Sequence, residues 1–100
     1  MNNEKKQCWI IASSGSEWDD VYVERVIGTK QQAKEYLAAK IEDAVAVHKA
    51  NDNIVENAST TVESIRDSVF GAPNRLYGFI NLSDSHEDYT ATPEMPPVML

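Results

Sequence analysis

The sequence predicts an α+β domain in which helices cover one small antiparallel or mixed sheet. Three observations favour this class: two strand-like runs near the start, a long stretch of helical periodicity after them, and another strand-like run near the end. The predicted order is strand, strand, helix, helix, strand, with a candidate fourth strand after it. Since each helix has one apolar stripe and the sheet offers one face, a two-layer sandwich is expected.

The first two strands are predicted to form a hairpin. Residues 7–13 read QCWIIAS, a short apolar run with β-branched and aromatic members. Residues 21–27 read VYVERVI, which alternates until Arg25, where a bulge is expected. The loop between the two runs is rich in Ser, Gly and Asp, so antiparallel pairing is the expected arrangement.

A helix is predicted directly after this hairpin. Thr29 and Gln32 have the spacing of a capping box, which places the helix start at Thr29. The residues on the predicted buried side then recur at three- and four-residue steps up to about residue 49. They are Ala33, Tyr36, Leu37, Ile41, Ala44, Val45 and His48. At ~1.5 Å per residue this helix would cross a small sheet.

A second helix is predicted over residues 61–70, after an irregular stretch. Thr60 is its expected cap, and Glu63 is the box partner of Thr60. Gly71 is the expected stop, and Pro73 prevents continuation of the helix.

The last predicted strand covers residues 75–82, whose sequence RLYGFINL carries large apolar groups on both faces. This pattern is typical of a central strand. A polar turn is predicted over residues 83–87, and residues 89–92 are the candidate final strand. Three later prolines predict that residues 1–92 form the single domain and that residues 93–100 form a Pro-rich C-terminal tail.

Composition disfavours several classes of protein. No run approaches the ~20 consecutive apolar residues of a membrane helix, and the polar start is not typical of a secretion signal. Cys8 is the single cysteine, so an internal disulfide is excluded. A reducing compartment fits best, and a cytoplasmic location without membrane partners is expected.

The charge is unevenly distributed along the chain. Nine basic and sixteen acidic residues give a formal charge of -7, and only Arg66 and Arg75 are basic after residue 50. Affinity for phosphate comes chiefly from Lys and Arg, so direct nucleic-acid binding is disfavoured. The charge favours a partner protein with a basic surface, through steering and orientation.

No motif predicts catalysis or a cofactor. Ser13, Ser14 and Ser16 lie in a turn-like sequence without a nucleophile-elbow pattern. Cys8 has no close basic neighbour that would lower its pKa. Gly28 precedes a helix, but one glycine does not make a phosphate-binding loop. We therefore expect no enzyme activity, no catalytic residue and no cofactor.

Two polar stretches are candidate partner-binding regions. A tryptophan beside two carboxylates in the first loop is either an interface anchor or a lid on the core. The second stretch is a solvated turn, a partner-binding loop or, if it curls, a cation site. It lacks the glycine and terminal glutamate of an EF-hand, so no metal site is predicted. The candidate residues are Trp18, Asp19 and Asp20, and Asp84, His86, Glu87, Asp88 and Tyr89.

The segment GTKQQAKEYL after two strands, followed later by SDSHEDYTA, resembles small uncharacterised proteins of bacterial mobile elements or phages. The resemblance implies an accessory role and transfers no site. The strand–strand–helix opening also resembles the start of a β-grasp fold, which carries no function.

The functional hypothesis is a small acidic protein-binding module or inhibitor. In one version it blocks a nucleic-acid enzyme by occupying a DNA groove, as an anti-CRISPR-like protein or DNA mimic. The first alternative is a structural homo-oligomer subunit that uses the open edge of the hairpin. The second is a small metal-binding protein or enzyme that uses residues 84–88.

Overall fold

The computed structural model describes residues 5–15, 22–68 and 74–94. Within these ranges the chain forms six strands, one α-helix and one short 3₁₀ turn. They are β1 (Gln7–Gly15), β2 (Tyr22–Gly28), α1 (Lys30–Ala50), β3 (Val55–Ala58), the 3₁₀ turn (Val62–Ser64), β4 (Arg66–Asp67), β5 (Leu76–Leu82) and β6 (His86–Pro93). In the described ranges, no helix has both the length and the apolar character needed to cross a membrane.

The six strands form one antiparallel sheet with the order β2-β1-β6-β5-β3, and β4 also pairs with β5. The α+β class is therefore confirmed, and the sheet is antiparallel. The predicted pairing of the first two strands is confirmed as well. Their register runs without interruption from Gln7↔Gly28 to Ser13↔Tyr22, so the bulge expected at Arg25 is absent from this described pair.

Helix α1 begins where the capping box predicted. Gln32 donates its backbone N–H to Thr29 Oγ1 over 3.1 Å, and the Thr29 N–H donates to Gln32 Oε1 over 2.9 Å. The buried side of the helix repeats at helical steps and contacts the sheet, mainly at β5, β3 and β6. Its buried residues are Ala33, Leu37, Ala38, Ile41 and Val45.

The core lies between α1 and the face of the sheet that carries Trp9, Ile11, Leu76, Ile80 and Ala91, all fully buried or nearly so. Trp9 also anchors the end of β2, because its indole N–H donates to the Gly28 carbonyl over 3.1 Å.

The helix approaches β5 most closely at Gly78. A Cβ atom at this position would lie 2.6 Å from Ile41 Cδ1 and 2.9 Å from Ile65 Cδ1. The missing side chain therefore makes room for the residues that pack across the core.

The predicted second helix over residues 61–70 is wrong in its described part. The region instead holds the short strand β3, the 3₁₀ turn and the two-residue strand β4. Ser59 explains much of this change, because its buried backbone N–H donates to the Phe79 carbonyl over 2.9 Å and its Oγ accepts from the Phe79 N–H over 3.1 Å. These bonds hold the segment in an extended form along β5.

The predicted cap of that second helix is also corrected. Thr61 caps the 3₁₀ turn instead of Thr60, and its partner is Ser64 instead of Glu63. The Ser64 hydroxyl accepts from the Thr61 N–H over 3.0 Å and donates to the Thr61 carbonyl over 2.6 Å. Such local side-chain bonds to the backbone compete with helix formation.

Strand β5 is central, as predicted, since β6 pairs on one side and β3 and β4 pair on the other. Strand β6 is longer than the predicted 89–92, and it includes Pro93 of the expected tail. Proline fits there because the next N–H, of Glu94, donates to β1 at Cys8. The Pro93 nitrogen therefore points away from β1, toward the side of β5. Strand β5 does not extend past the Leu76↔Ala91 pair, so no backbone bond from residue 93 is needed there. The tail residues 95–100 lie outside the described residues.

Candidate functional site

The sheet has a second face, opposite α1. Residues that are paired directly across antiparallel strands point to the same face. Ala12, Thr90 and Tyr77 form one such row, and Arg66 of β4 extends it. Ser14, Asp88 and Phe79 form the next row. Leu76 and Ile80, which contribute to the core, alternate with Tyr77 and Phe79 along β5, so the two rows point away from α1.

These rows line a cavity of about 770 Å³ that is open to solvent. We call it the open-face groove. It crosses β1, β6 and β5 and reaches β4 at one side. Its lining includes Ser14, Arg66, Arg75, Tyr77, Phe79 and Asp88. Its volume is within the range of about 300–1,000 Å³ that is typical of ligand sites.

Two aromatic rings form part of the groove wall. The centroids of the Tyr77 and Phe79 rings are 6.3 Å apart, and their planes meet at 26°. The Tyr77 hydroxyl donates to Asp88 Oδ1 over 2.6 Å. Burial, followed by this bond to Asp88, raises the pKa of Tyr77 to about 12. Tyr77 therefore keeps its proton at neutral pH and holds the Asp88 carboxylate in place.

The groove also contains both basic residues of the second half of the chain, Arg66 and Arg75. Arg75 lies just before β5 and lines the groove with its Nε buried and without a hydrogen-bond partner. Arg66 lies opposite Tyr77, which makes it the diagonal neighbour of Arg75 across the two strands. Neither arginine forms an ion pair with any residue in the described part of the chain.

The predicted loop of residues 84–88 does not act as one cluster. Asp84 lies exposed in the turn between β5 and β6, and His86 Nε2 is 3.7 Å from Asp88 Oδ2. Asp88 faces the open-face groove, whereas Glu87 points to the side of α1. Neighbouring residues of a strand point to opposite faces, and β6 begins at His86, so the carboxylates diverge. The other predicted residues, Trp18, Asp19 and Asp20, lie outside the described residues.

Glu87 joins the end of α1 to the sheet. Its Oε1 is 3.1 Å from His48 Nε2 and accepts from the Tyr89 hydroxyl over 3.2 Å. On the other side of the ring, Asn53 Nδ2 is 3.1 Å from His48 Nδ1. Burial, with the neighbouring Glu87 charge, raises the pKa of Tyr89. These contacts give Glu87 and Tyr89 a role in fixing the helix end, beside a smaller cavity of about 330 Å³.

The hypothesis of a cation site finds no support in this geometry. Within residues 5–15, 22–68 and 74–94, no group of three or more His, Cys, Asp or Glu residues could hold a metal ion. Cys8 is half-buried, and its thiol is hydrogen-bonded to the Glu94 side chain. This hydrogen bond, followed by burial, raises the pKa of the thiol. A raised pKa opposes a role as a thiolate nucleophile.

The carboxylates of the second half are only partly free. Ion pairs join Asp67 to Lys30 at 3.0 Å and Glu94 Oε1 to Arg25 Nε at 3.5 Å. Glu87 and Asp88 are bonded to side chains as described above. Among the described carboxylates of the second half, those without a side-chain partner are Asp52, Glu56, Glu63 and Asp84. Side-chain contacts therefore hold four of the eight second-half carboxylates, and two of these four, Asp67 and Glu94, are paired with a Lys or Arg.

Sequence reasoning missed the open-face groove. The alternation in RLYGFINL indicated two apolar faces on β5, and both were assigned to the interior of a central strand. The available signal was Arg75, which is one of the two Lys or Arg residues after residue 50 and lies close to Tyr77 in the sequence. Comparison with protein-family models, with curated proteins and with solved structures finds no match for this chain.

Proposed function

We propose that this protein is a binding module and that it holds an extended segment of a partner protein in the open-face groove. The observation that carries the proposal is the groove of about 770 Å³ with Tyr77 and Phe79 in its wall. Large aromatic groups on an open sheet face are typical of interaction surfaces. The proposal includes the two-layer arrangement, with α1 on one face and the partner segment on the other.

The shape of the groove favours a short extended peptide. The groove crosses from β1 through β6 and β5 to β4. Three strand spacings of about 4.8 Å correspond to roughly 14 Å. An extended chain of about four residues has the same length. Alternate side chains of such a segment would point to the sheet and contact the Tyr77–Phe79 pair.

A peptide selection tests this proposal. A displayed library of random peptides is selected on the wild-type protein, and the selected peptides are then measured on two variants. Phe79→Ser removes one ring from the groove, while the backbone bonds between Phe79 and Ser59 remain available. Ile54→Ser is the matched control, because Ile54 is a 65% exposed apolar residue outside the groove.

We expect Phe79→Ser to weaken binding at least tenfold and Ile54→Ser to leave it within twofold. Truncating an aromatic anchor at a protein interface typically costs about 2 kcal/mol or more, and a tenfold loss of affinity corresponds to about 1.4 kcal/mol. Circular dichroism checks that both variants fold. Equal binding by wild type and Phe79→Ser would show that the groove is not the binding surface.

The basic partner and the inhibition of a nucleic-acid enzyme stay predictions, as do the accessory role in phages or mobile elements and the cytoplasmic location. The unpaired carboxylates of Asp52, Glu56, Glu63 and Asp84 support attraction to a positive partner surface. If that attraction is important, the association rate should fall when salt is added, and Asp84→Asn should reduce this salt dependence.

A homo-oligomer is the second candidate function, and strand β2 favours it. This strand is at one edge of the sheet and carries three exposed large apolar residues: Tyr22 at 43%, Val23 at 55% and Ile27 at 79%. Such an edge can pair with a second copy. Sedimentation velocity distinguishes the two candidates. A dimer that Ile27→Lys converts to a monomer would support the oligomer, whereas a monomer at every concentration would exclude it.

A further inference from the structure

We infer that the open-face groove recognises a carboxylate of the partner segment through Arg75 and Arg66, next to an apolar side chain held by the Tyr77–Phe79 pair. The partner segment thus carries an acidic and an apolar side chain two residues apart, because residues i and i+2 of an extended segment point to the same face. This inference rests on the proposed function, and it adds the chemistry by which the partner is chosen.

Arg75 is the first reason. Its Nε–H is buried and has no hydrogen-bond acceptor, although the residue lines the open-face groove. A buried donor without a partner destabilises a protein, and the effect is larger when the group is charged. A ligand oxygen placed in the groove would supply the missing acceptor. The guanidinium prefers a carboxylate, which can accept two parallel N–H groups from it.

Arg66 gives the second reason. Arg66 on β4 is paired with Tyr77 on β5. The pairing continues past the end of β4, because the Ser68 N–H donates to the Arg75 carbonyl over 2.7 Å. Arg66 and Arg75 are therefore diagonal neighbours on one face of the sheet. Diagonal neighbours in an antiparallel pair are about 7–8 Å apart at the backbone, within reach of long side chains. Both guanidinium groups can therefore approach one ligand.

The carboxylates that line the groove, Asp67 and Asp88, form no ion pair with either arginine. Asp88 is bonded to the Tyr77 hydroxyl, and Asp67 is paired with Lys30 at 3.0 Å. The groove thus offers two unpaired positive charges on a chain whose net charge is -7. Charges farther away than the screening length of about 8 Å at physiological salt contribute little, so the nearby arginines determine which ligand is preferred.

An acidic peptide fits this surface better than a single-stranded nucleic acid. Aromatic rings next to arginine also suit stacked bases, and this makes nucleic acid the main competitor. However, phosphate-chain binding depends on many cationic contacts, whereas the described groove lining offers two arginines and an Asp88 carboxylate that repels a row of phosphates. A peptide with one or two carboxylates meets less of this repulsion.

Four probes test the inference on the whole protein by NMR. Three are capped hexapeptides that carry Glu, Gln or Lys two residues from a Phe, with Thr at the other positions, and the fourth is a thymidine oligonucleotide of similar length. The Arg75 Nε–H signal reports directly on the proposed contact, and backbone signals of Tyr77 and Phe79 report on occupancy of the groove. The Phe/Gln peptide tests the groove without a carboxylate.

Two variants complete the design. Arg75→Gln removes the proposed anchor, and Arg25→Gln is the matched control, since it removes the same charge from β2 outside the groove. We expect the Phe/Glu peptide to shift the Arg75 Nε–H signal and to bind roughly tenfold more tightly than the Phe/Gln peptide. Arg75→Gln should remove this preference, and Arg25→Gln should preserve it.

The outcomes separate the two proposals. If the Phe/Gln or Phe/Lys peptide binds as tightly as the Phe/Glu peptide, the carboxylate inference fails while the groove stays a peptide site. If the oligonucleotide binds more tightly than every peptide, the class of ligand is wrong. If no peptide shifts Tyr77 or Phe79 at millimolar concentration, the proposed function fails together with the inference.

Discussion

Replacing Gly78 by alanine tests the close contact between α1 and β5 on which the fold depends. The new methyl group would lie 2.6 Å from Ile41 Cδ1, 2.9 Å from Ile65 Cδ1 and 3.2 Å from Ser59 Cβ. Overpacking of this kind typically costs about 1–3 kcal/mol. Alanine also restricts the unfolded chain, which returns about 0.5–1 kcal/mol. We therefore expect Gly78→Ala to lower the free energy of unfolding by about 1–2 kcal/mol.

Urea denaturation followed by fluorescence measures this difference, and thermal unfolding should show a decrease in Tm of about 5–10 °C. Gly28→Ala is the matched control. A methyl group there meets the side chain of Gln32, at 2.9 Å from Oε1 and 3.2 Å from Cβ, and displacing it disturbs one bond of the capping box. We expect the control to lose less than about 1 kcal/mol.

Ile41→Val shows whether the clash with the helix causes the loss. This substitution removes the Cδ1 atom that lies closest to the new methyl group. Alone it should cost about 0.5–1.5 kcal/mol, and in the Gly78→Ala background it should cost less, with a coupling of about 1 kcal/mol. A Gly78→Ala protein as stable as wild type, or strictly additive substitutions, would refute the packing of α1 on β5 described above.

Three further predictions concern the ends of α1 and β2. Thr29→Ala should lower the free energy of unfolding in urea by about 1 kcal/mol, because it removes the helix cap. Thr29→Ser keeps the capping hydroxyl and should lower the free energy of unfolding much less, so equal losses in the two variants would contradict the cap. Trp9→Phe should lose about 2–3 kcal/mol, because the buried Gly28 carbonyl loses its donor and a cavity forms; a loss below 1 kcal/mol, by the same measurement, would contradict that bond. Burial opposes ionisation of Glu24, but hydrogen bonds from Tyr36 and Lys40 lower the net pKa below 4.5. Ionised Glu24 therefore stabilises the fold fully above its unfolded pKa, and this stabilisation is lost as the pH falls through its folded pKa. Glu24→Gln should flatten the dependence of the free energy of unfolding on pH below about pH 5. An unchanged pH dependence would exclude the effect.

Local signals predicted the first half of the fold. The capping box of Thr29 and Gln32, the stripe along α1 and the β1–β2 hairpin depend on residues close in sequence, and the structure confirms each of them. The second half depends on distant partners. Ser59 is bonded to Phe79, twenty residues away, and this pairing overrides the helical spacing of the segment.

The site was harder to predict for the same reason. Residues 84–88 form a dense polar stretch in the sequence, yet strand alternation sends Glu87 and Asp88 to opposite faces. The open-face groove, in contrast, brings together residues from β1, β4, β5 and β6 that are not adjacent in sequence. Only the sheet order places Arg66 next to Tyr77.

Intermolecular nuclear Overhauser effects between a selected peptide and the protein test the open-face groove most directly as the binding surface. We expect effects from the ring protons of Tyr77 and Phe79 to alternate side chains of the bound peptide. Effects confined to Tyr22 and Ile27 on β2, or to Asp52 and Asp84, would show that the peptide binds elsewhere.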